Sequence, residues 1–129
     1  MAVEPIWVSR EDAEASQLEV VRLSGGSAGV LHSGLLDSAL ARARNQWAYE
    51  GADLGECAAA YAYGIAMNHG FKDGNKRTAL AVAIMFLAYN RLRLTASPEE
   101  AAATMIALAR HELDEDGLAE WFSANTARL

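Results

Sequence analysis

Nine consecutive residues, His69 to Arg77 in "HGFKDGNKR", bring together an imidazole, a carboxylate, three cations and two glycines. An apolar run, Thr78 to Tyr89, follows at once without a single charge. If a helix begins near Asp73 to Asn75, Lys76 and Arg77 fall in its first turn. That end of a helix carries partial positive charge and open N–H groups, and it normally favours Asp or Glu. Cations added there make sense if an anion is expected. Gly74 lets a ligand approach the backbone, and the N–H groups of Gly74 to Lys76 could cradle a phosphate. Asp73 supplies a hard oxygen ligand of the kind that holds Mg²⁺ bridging phosphates. His69 is the nearby side chain that titrates close to neutrality, which makes it the candidate general base.

Each residue alone has a plainer reading: solvated lysine and arginine, and a histidine that merely ends a helix. Taken jointly, base, glycine, carboxylate and cations between two apolar helices point to phosphate chemistry. Competing motifs fail on spacing. A Walker A loop needs four residues between its glycines and then Gly-Lys-Ser/Thr, whereas Asn75 intervenes here. Asn68-His69 is not flanked by the hairpin of an HNH nuclease. "ELDEDG" (Glu112 to Gly117) opens like a calcium loop, but Ser123 stands where the bidentate glutamate belongs.

The elements that must hold this loop read as helices. Ser9 with Asp12 forms a capping box for a first helix, about Ser9 to Leu23. Gly25, Gly26 and Gly29 then break the chain into a loop. A second helix from about Ser33 fades near Gln46, and "WAYEGAD" reads as an irregular connection ending at Asp53, the N-cap of a third. That third helix, about Leu54 to Asn68, is rich in small residues, and Gly70 is expected to take the left-handed conformation just past its end. The fourth, reaching about Asn90, is apolar on every face and is expected to be central and buried. "RLRLTAS" can hold an extended step. Ser97-Pro98-Glu99 starts a fifth helix ending near Arg110, and Asp114 caps a sixth that turns Leu118, Trp121 and Phe122 inward. The expectation is an all-α fold, about six helices around a central buried helix (about 74–90), with residues 1–129 as one domain.

The totals are compatible with this. The 129 residues are 52% hydrophobic and 22% charged, with a net charge of −6 and a pI near 5.0. That balance argues against general nucleic-acid binding, which shows a basic stripe. The uncharged run of 12 residues is short of the roughly 20 that a membrane span needs. No leader of basic and then apolar residues opens the chain. One cysteine, Cys57, fits a reducing compartment and reads as a small core residue. A cytoplasmic protein follows as the expectation.

The loop resembles the signature of the Fic/Doc superfamily. Fic enzymes carry His-x-Phe-x-Asp/Glu-Gly-Asn-Gly-Arg-x-x-Arg, whereas Doc (death-on-curing) toxins carry His-x-Phe-x-Asp/Asn-Ala/Gly-Asn-Lys-Arg. Lys76 stands at the second glycine of the Fic form, and Leu80 at its final arginine. "SGLLDSALARARNQWAYEG" is similar to the second-helix region of Doc proteins. The resemblance implies a helical Fic fold whose motif loop joins the third and fourth helices. For a Doc-type protein it implies ATP and Mg²⁺ as cofactors and transfer of the γ-phosphate to a threonine of elongation factor Tu, which arrests translation. Carried over by position, His69 would deprotonate the target hydroxyl, Phe71 would anchor the loop in the core, and Asp73 would hold Mg²⁺. Gly74, Asn75, Lys76 and Arg77 would bind phosphates. The implied partner is a Phd-like antitoxin whose disordered segment folds on binding, with the free toxin a monomer. The inhibitory Ser/Thr-x-x-x-Glu-Gly helix of many Fic enzymes has no counterpart here. Two alternatives stand beside this reading: a Fic-type AMP transferase acting on a protein hydroxyl, and a catalytically inactive Fic-fold binding module.

Overall fold

The computed structural model describes residues 3–129. Its deepest element is a helix of small residues. α3 (Leu54–Asn68) buries Cys57 to Ala62 and Gly64 to Ala66, and their small size lets three neighbours come close. A Cβ added at Gly64 would stand 3.1 Å from the Ala39 backbone, and Gly55 abuts Ser123. α2 (Ser33–Glu50), α4 (Asn75–Tyr89) and α6 (Glu115–Ala124) pack around α3. α1 (Arg10–Ser24) lies on α4, and α5 (Pro98–Ala109) covers another flank of α4. Two short strands, β1 (Leu92–Leu94) and β2 (Thr126–Arg128), pair antiparallel with Leu92 opposite Arg128. The all-α expectation with six helices therefore holds for the described residues, and the extended step in "RLRLTAS" is β1.

Local signals explain most helix starts. Ser9, Asp53, Ser97 and Asp114 each accept a hydrogen bond from the backbone N–H three residues on. The capping box is complete at Asp53, where Glu56 reaches back to the Asp53 N–H. At Ser9 only half of it forms, because the Asp12 carboxylate accepts from the Tyr89 hydroxyl at 2.8 Å. The expected fade of α2 near Gln46 is corrected: the helix runs on to Glu50 and stops where Gly51 turns left-handed, φ 68°. Trp47 stays helical and packs edge-on against Trp7 at 6.0 Å. Trp7 in turn stacks on Phe86 of α4 at 5.8 Å, and Tyr61 of α3 meets Phe86 at 5.2 Å. Aromatic pairs of this kind add to area burial, and this one welds the N-terminal segment to α3 and α4.

The inward face of α4 is buried through Thr78, Ala79, Val82, Ala83, Phe86 and Leu87. Ile84 and Tyr89 reach the surface, so one side of this apolar helix remains open.

Candidate functional site

The motif loop is fixed at several points before any ligand is considered. Phe71 is 1% exposed and sits in the core. Asn75 closes the turn around it: its Oδ1 accepts from the Phe71 N–H and its Nδ2 donates to the Phe71 carbonyl, each at 3.1 Å. Phe71 also forms an isolated antiparallel bridge with Val30. On either side, Leu31 and His32 donate to the Gly70 carbonyl, and Lys72 donates to that of Gly29. The glycine-containing segment before α2 therefore runs along the motif loop as a partner, where the sequence suggested only a break.

His69 is the C-cap of α3 and takes the left-handed conformation itself, φ 51° and ψ 46°. This corrects the expectation for Gly70. A Cβ at Gly70 would meet Leu36 Cβ at 2.9 Å and the Leu36 backbone at 3.0 Å. Glycine is required there by the approach of α2, and the chain reversal falls one residue earlier. A left-handed histidine stores a small strain, of a kind that gathers at functional positions. The residue is exposed to solvent.

Gly74 makes the second reversal, φ 71°, as N-cap of α4. It has no side chain to cap the first turn, and a Cβ there would press on Val20 Cγ1 at 3.0 Å. Lys76 and Arg77 project from this uncapped turn and are exposed. The two lysines of the chain, Lys72 and Lys76, both belong to this loop. Among the described residues Arg10, Arg22, Arg42 and Arg44 each pair with a carboxylate, whereas Lys72, Lys76 and Arg77 do not. Arg91, Arg93, Arg110 and Arg128 pair with no carboxylate among these residues either, but they lie elsewhere in the chain. Lys72, Lys76 and Arg77 fall within six residues around one uncapped helix start, a ready anion site.

Asp73 stands at the edge of this positive end. Its Oδ2 accepts from the Ser27 N–H at 2.6 Å, and its backbone carbonyl accepts from Gln17 Nε2 at 3.1 Å. Among the described residues no cluster of three or more His, Cys, Asp or Glu could cage a metal. A lone carboxylate suits Mg²⁺, which takes one or two carboxylates and fills its remaining positions with water and phosphate oxygens. The residues present therefore fit a Mg²⁺–nucleotide and not a dedicated metal cage.

Beside Lys76 and Arg77 lies a hollow of about 220 Å³ walled by Leu80, Ala102, Met105 and Ile106. Leu80 also lines the next hollow, an apolar groove of about 410 Å³ between α4, β1 and the start of α5. A third hollow at Tyr63 and His111 is rimmed by Asp114, Glu115 and Asp116, whose charge opposes a phosphate. Sequence reasoning missed Gln17 and the Ser27–Gly29 segment. Gln17 and Ser27 meet Asp73 across 56 and 46 residues of chain, and no local pattern announces such a contact.

Comparison with known proteins agrees with this loop. The chain is 39% identical over 82 residues to "Protein kinase doc" of Escherichia phage P1, covering 63% of this chain and 65% of the phage protein. The match thus spans just under two thirds of the phage protein's length. It is 40% identical over 101 residues to "Toxin Doc" of Mycolicibacterium smegmatis, covering 74% of this chain and 76% of that protein. Residues 7–87, from Trp7 through the motif loop to Leu87, match the Fic/DOC family, and the chain belongs to that family.

Proposed function

We propose that this chain is a Doc-type toxin kinase, working as one domain over residues 1–129 in the cytoplasm. It would transfer the γ-phosphate of ATP to a threonine hydroxyl of elongation factor Tu and so arrest translation. The observation that carries this reading is the uncapped first turn of α4, which exposes Lys76 and Arg77 directly after the loop that exposes His69 and Asp73. The names of the two relatives, a kinase and a toxin, support it.

His69 takes the proton of the attacking hydroxyl as its oxygen bonds to the γ-phosphorus. The bond from that phosphorus to the β–γ bridging oxygen breaks, and ADP leaves with the electron pair. Lys76, Arg77 and the N–H groups from Gly74 onward hold the phosphates and stabilise the charge that spreads over the transferring oxygens. The carboxamide of Asn75 is engaged with Phe71, so its first offer to a phosphate is its backbone N–H. Mg²⁺, held at Asp73, would neutralise phosphate charge when the nucleotide is bound. Lys76 fills the space that glycine leaves open in Fic enzymes, which favours a γ-phosphate over an α-phosphate beside His69. Restraint comes from a separate Phd-like antitoxin. Its segment, disordered alone, would fold as a helix in the apolar groove lined by Leu80, Ile84, Leu92 and Leu94, a helix-in-groove mode.

The test is label transfer from ATP to elongation factor Tu. Label from the γ position should reach the acceptor, and label from the α position should not. His69→Ala should lower transfer by about 10² to 10⁴ while leaving the helical spectrum intact, and Lys76→Gly should weaken γ transfer. Transfer of α label would establish the AMP transferase instead, and wild-type activity in His69→Ala would remove the imidazole from the mechanism.

A further inference from the structure

We propose that Gln17 of α1 is a positioning residue for the Asp73 carboxylate, acting through the Ser27–Gly29 segment to hold that carboxylate toward the metal-bound nucleotide. This rests on the reading of Asp73 as the Mg²⁺ ligand. The buried stripe of α1 is Ala13, Gln17 and Val21, and an apolar residue would satisfy its packing. Instead a carboxamide sits there, 1% exposed, and such a group is tolerated inside a protein only when its polar atoms are bonded.

Every partner of Gln17 belongs to the site's backbone. Nε2 donates to the carbonyls of Ser27 and Asp73, both at 3.1 Å, which uses both of its hydrogens. Oε1 accepts from the Gly29 N–H, also at 3.1 Å. One side chain therefore clasps the glycine-containing segment on one side and the motif loop on the other. Between them the Ser27 N–H donates to Asp73 Oδ2 at 2.6 Å, a short, charge-assisted bond. Gly26, at φ 106°, allows the approach, since a Cβ there would press on Asp73 Cβ at 3.0 Å.

The carboxylate is thus held from two directions, at its own main chain by Gln17 and at Oδ2 by Ser27. Oδ1 has no partner among the described residues and is the oxygen left to face a cation. Carboxylates that bind metals are commonly oriented by such outer hydrogen bonds, and losing one typically weakens metal binding by about 10- to 100-fold.

The experiment titrates the full chain with Mn²⁺, with and without a β,γ-imido ATP analogue, and reads free Mn²⁺ by electron paramagnetic resonance. Gln17→Leu keeps volume and removes the clasp. It should raise the Mn²⁺ dissociation constant in the ternary complex about tenfold or more, leaving metal-free nucleotide binding unchanged. Ser27→Pro changes an exposed position, deletes the N–H aimed at Asp73 Oδ2, and should act in the same direction. In the Asp73→Asn background Gln17→Leu should add nothing further, because both changes act on one contact. If Gln17→Leu does not fold, Gln17→Met, which keeps an unbranched side chain of similar length but loses the carboxamide of the clasp, decides. Wild-type Mn²⁺ affinity in the folded variants, with Asp73→Asn impaired, would overturn the role of Gln17 and leave the metal reading standing. Wild-type affinity in Asp73→Asn itself would overturn the metal reading, and this inference with it.

Discussion

At the scale of single residues, Gln17 and Thr78 are the buried polar side chains among the described residues, and their situations are opposite. Gln17 uses its whole carboxamide, whereas Thr78 Oγ1 is buried with no hydrogen-bond partner. An unsatisfied buried hydroxyl costs about 1–3 kcal/mol. Thr78→Val replaces it by a methyl of nearly the same shape, so a stability gain of about 1 kcal/mol is expected, read as a higher urea midpoint. A loss of stability instead would mean that the hydroxyl holds a water. The motif residues were legible as types and spacing: His69, Asp73, Lys76 and Arg77 are all exposed on one loop. What spacing could not reveal is that Asn75 spends its side chain on Phe71 and that Asp73 is held by Ser27. Both bonds need the folded backbone to exist before the side chain has anything to meet.

At the scale of elements, capping chemistry was the most readable signal, because an N-cap needs only a side-chain oxygen and a backbone three residues on. The end of α2 was not readable from apolar periodicity. Ala48, Tyr49 and Glu50 face solvent, so the last turn contributes nothing to a buried stripe, and Gly51 is the signal that marks its end. Gly70 shows the same limit, since its requirement comes from Leu36 in another helix and not from its own backbone angle. Gly70→Ala would set a methyl 2.9 to 3.0 Å from Leu36, and overpacking of this kind typically costs about 1–3 kcal/mol. Gly34→Ala is the matched control inside α2, where a Cβ meets nothing within 4 Å. Relief of glycine's backbone entropy there should stabilise by about 0.4–1 kcal/mol. Thermal melts of the two variants should move in opposite directions. Faster amide exchange at Leu31 and His32, which donate to the Gly70 carbonyl, should accompany the first.

For the whole molecule, charge and burial divide cleanly. Carboxylates outnumber cations, yet three of the cations without a carboxylate partner among the described residues fall in the motif loop and the first turn of α4, while the buried titratable side chains Cys57 and Tyr61 are neutral ones. Burial pushes the Cys57 thiol from 9.0 up to about 12 and, as the main cause, the Tyr61 hydroxyl from 10.0 up to about 12. Tyr61 also accepts from the Val8 N–H at 3.0 Å, tying the N-terminal segment to α3. A folded-state pKa raised above the unfolded value means that the fold retains a proton the unfolded chain releases. The associated stability is complete below pH 9, begins to fall for Cys57 above 9 and for Tyr61 above 10, and is lost as pH rises through about 12. Urea midpoints should therefore stay level toward pH 9 and then decline. Cys57→Ala leaves a small cavity and should be somewhat less stable at pH 7, yet its alkaline decline should be shallower, because the thiol that ionises on unfolding is gone. An unchanged alkaline slope in Cys57→Ala would show that the thiol is not protected by α3. In that case the close helix packing that presents the motif loop would be looser than its small residues imply.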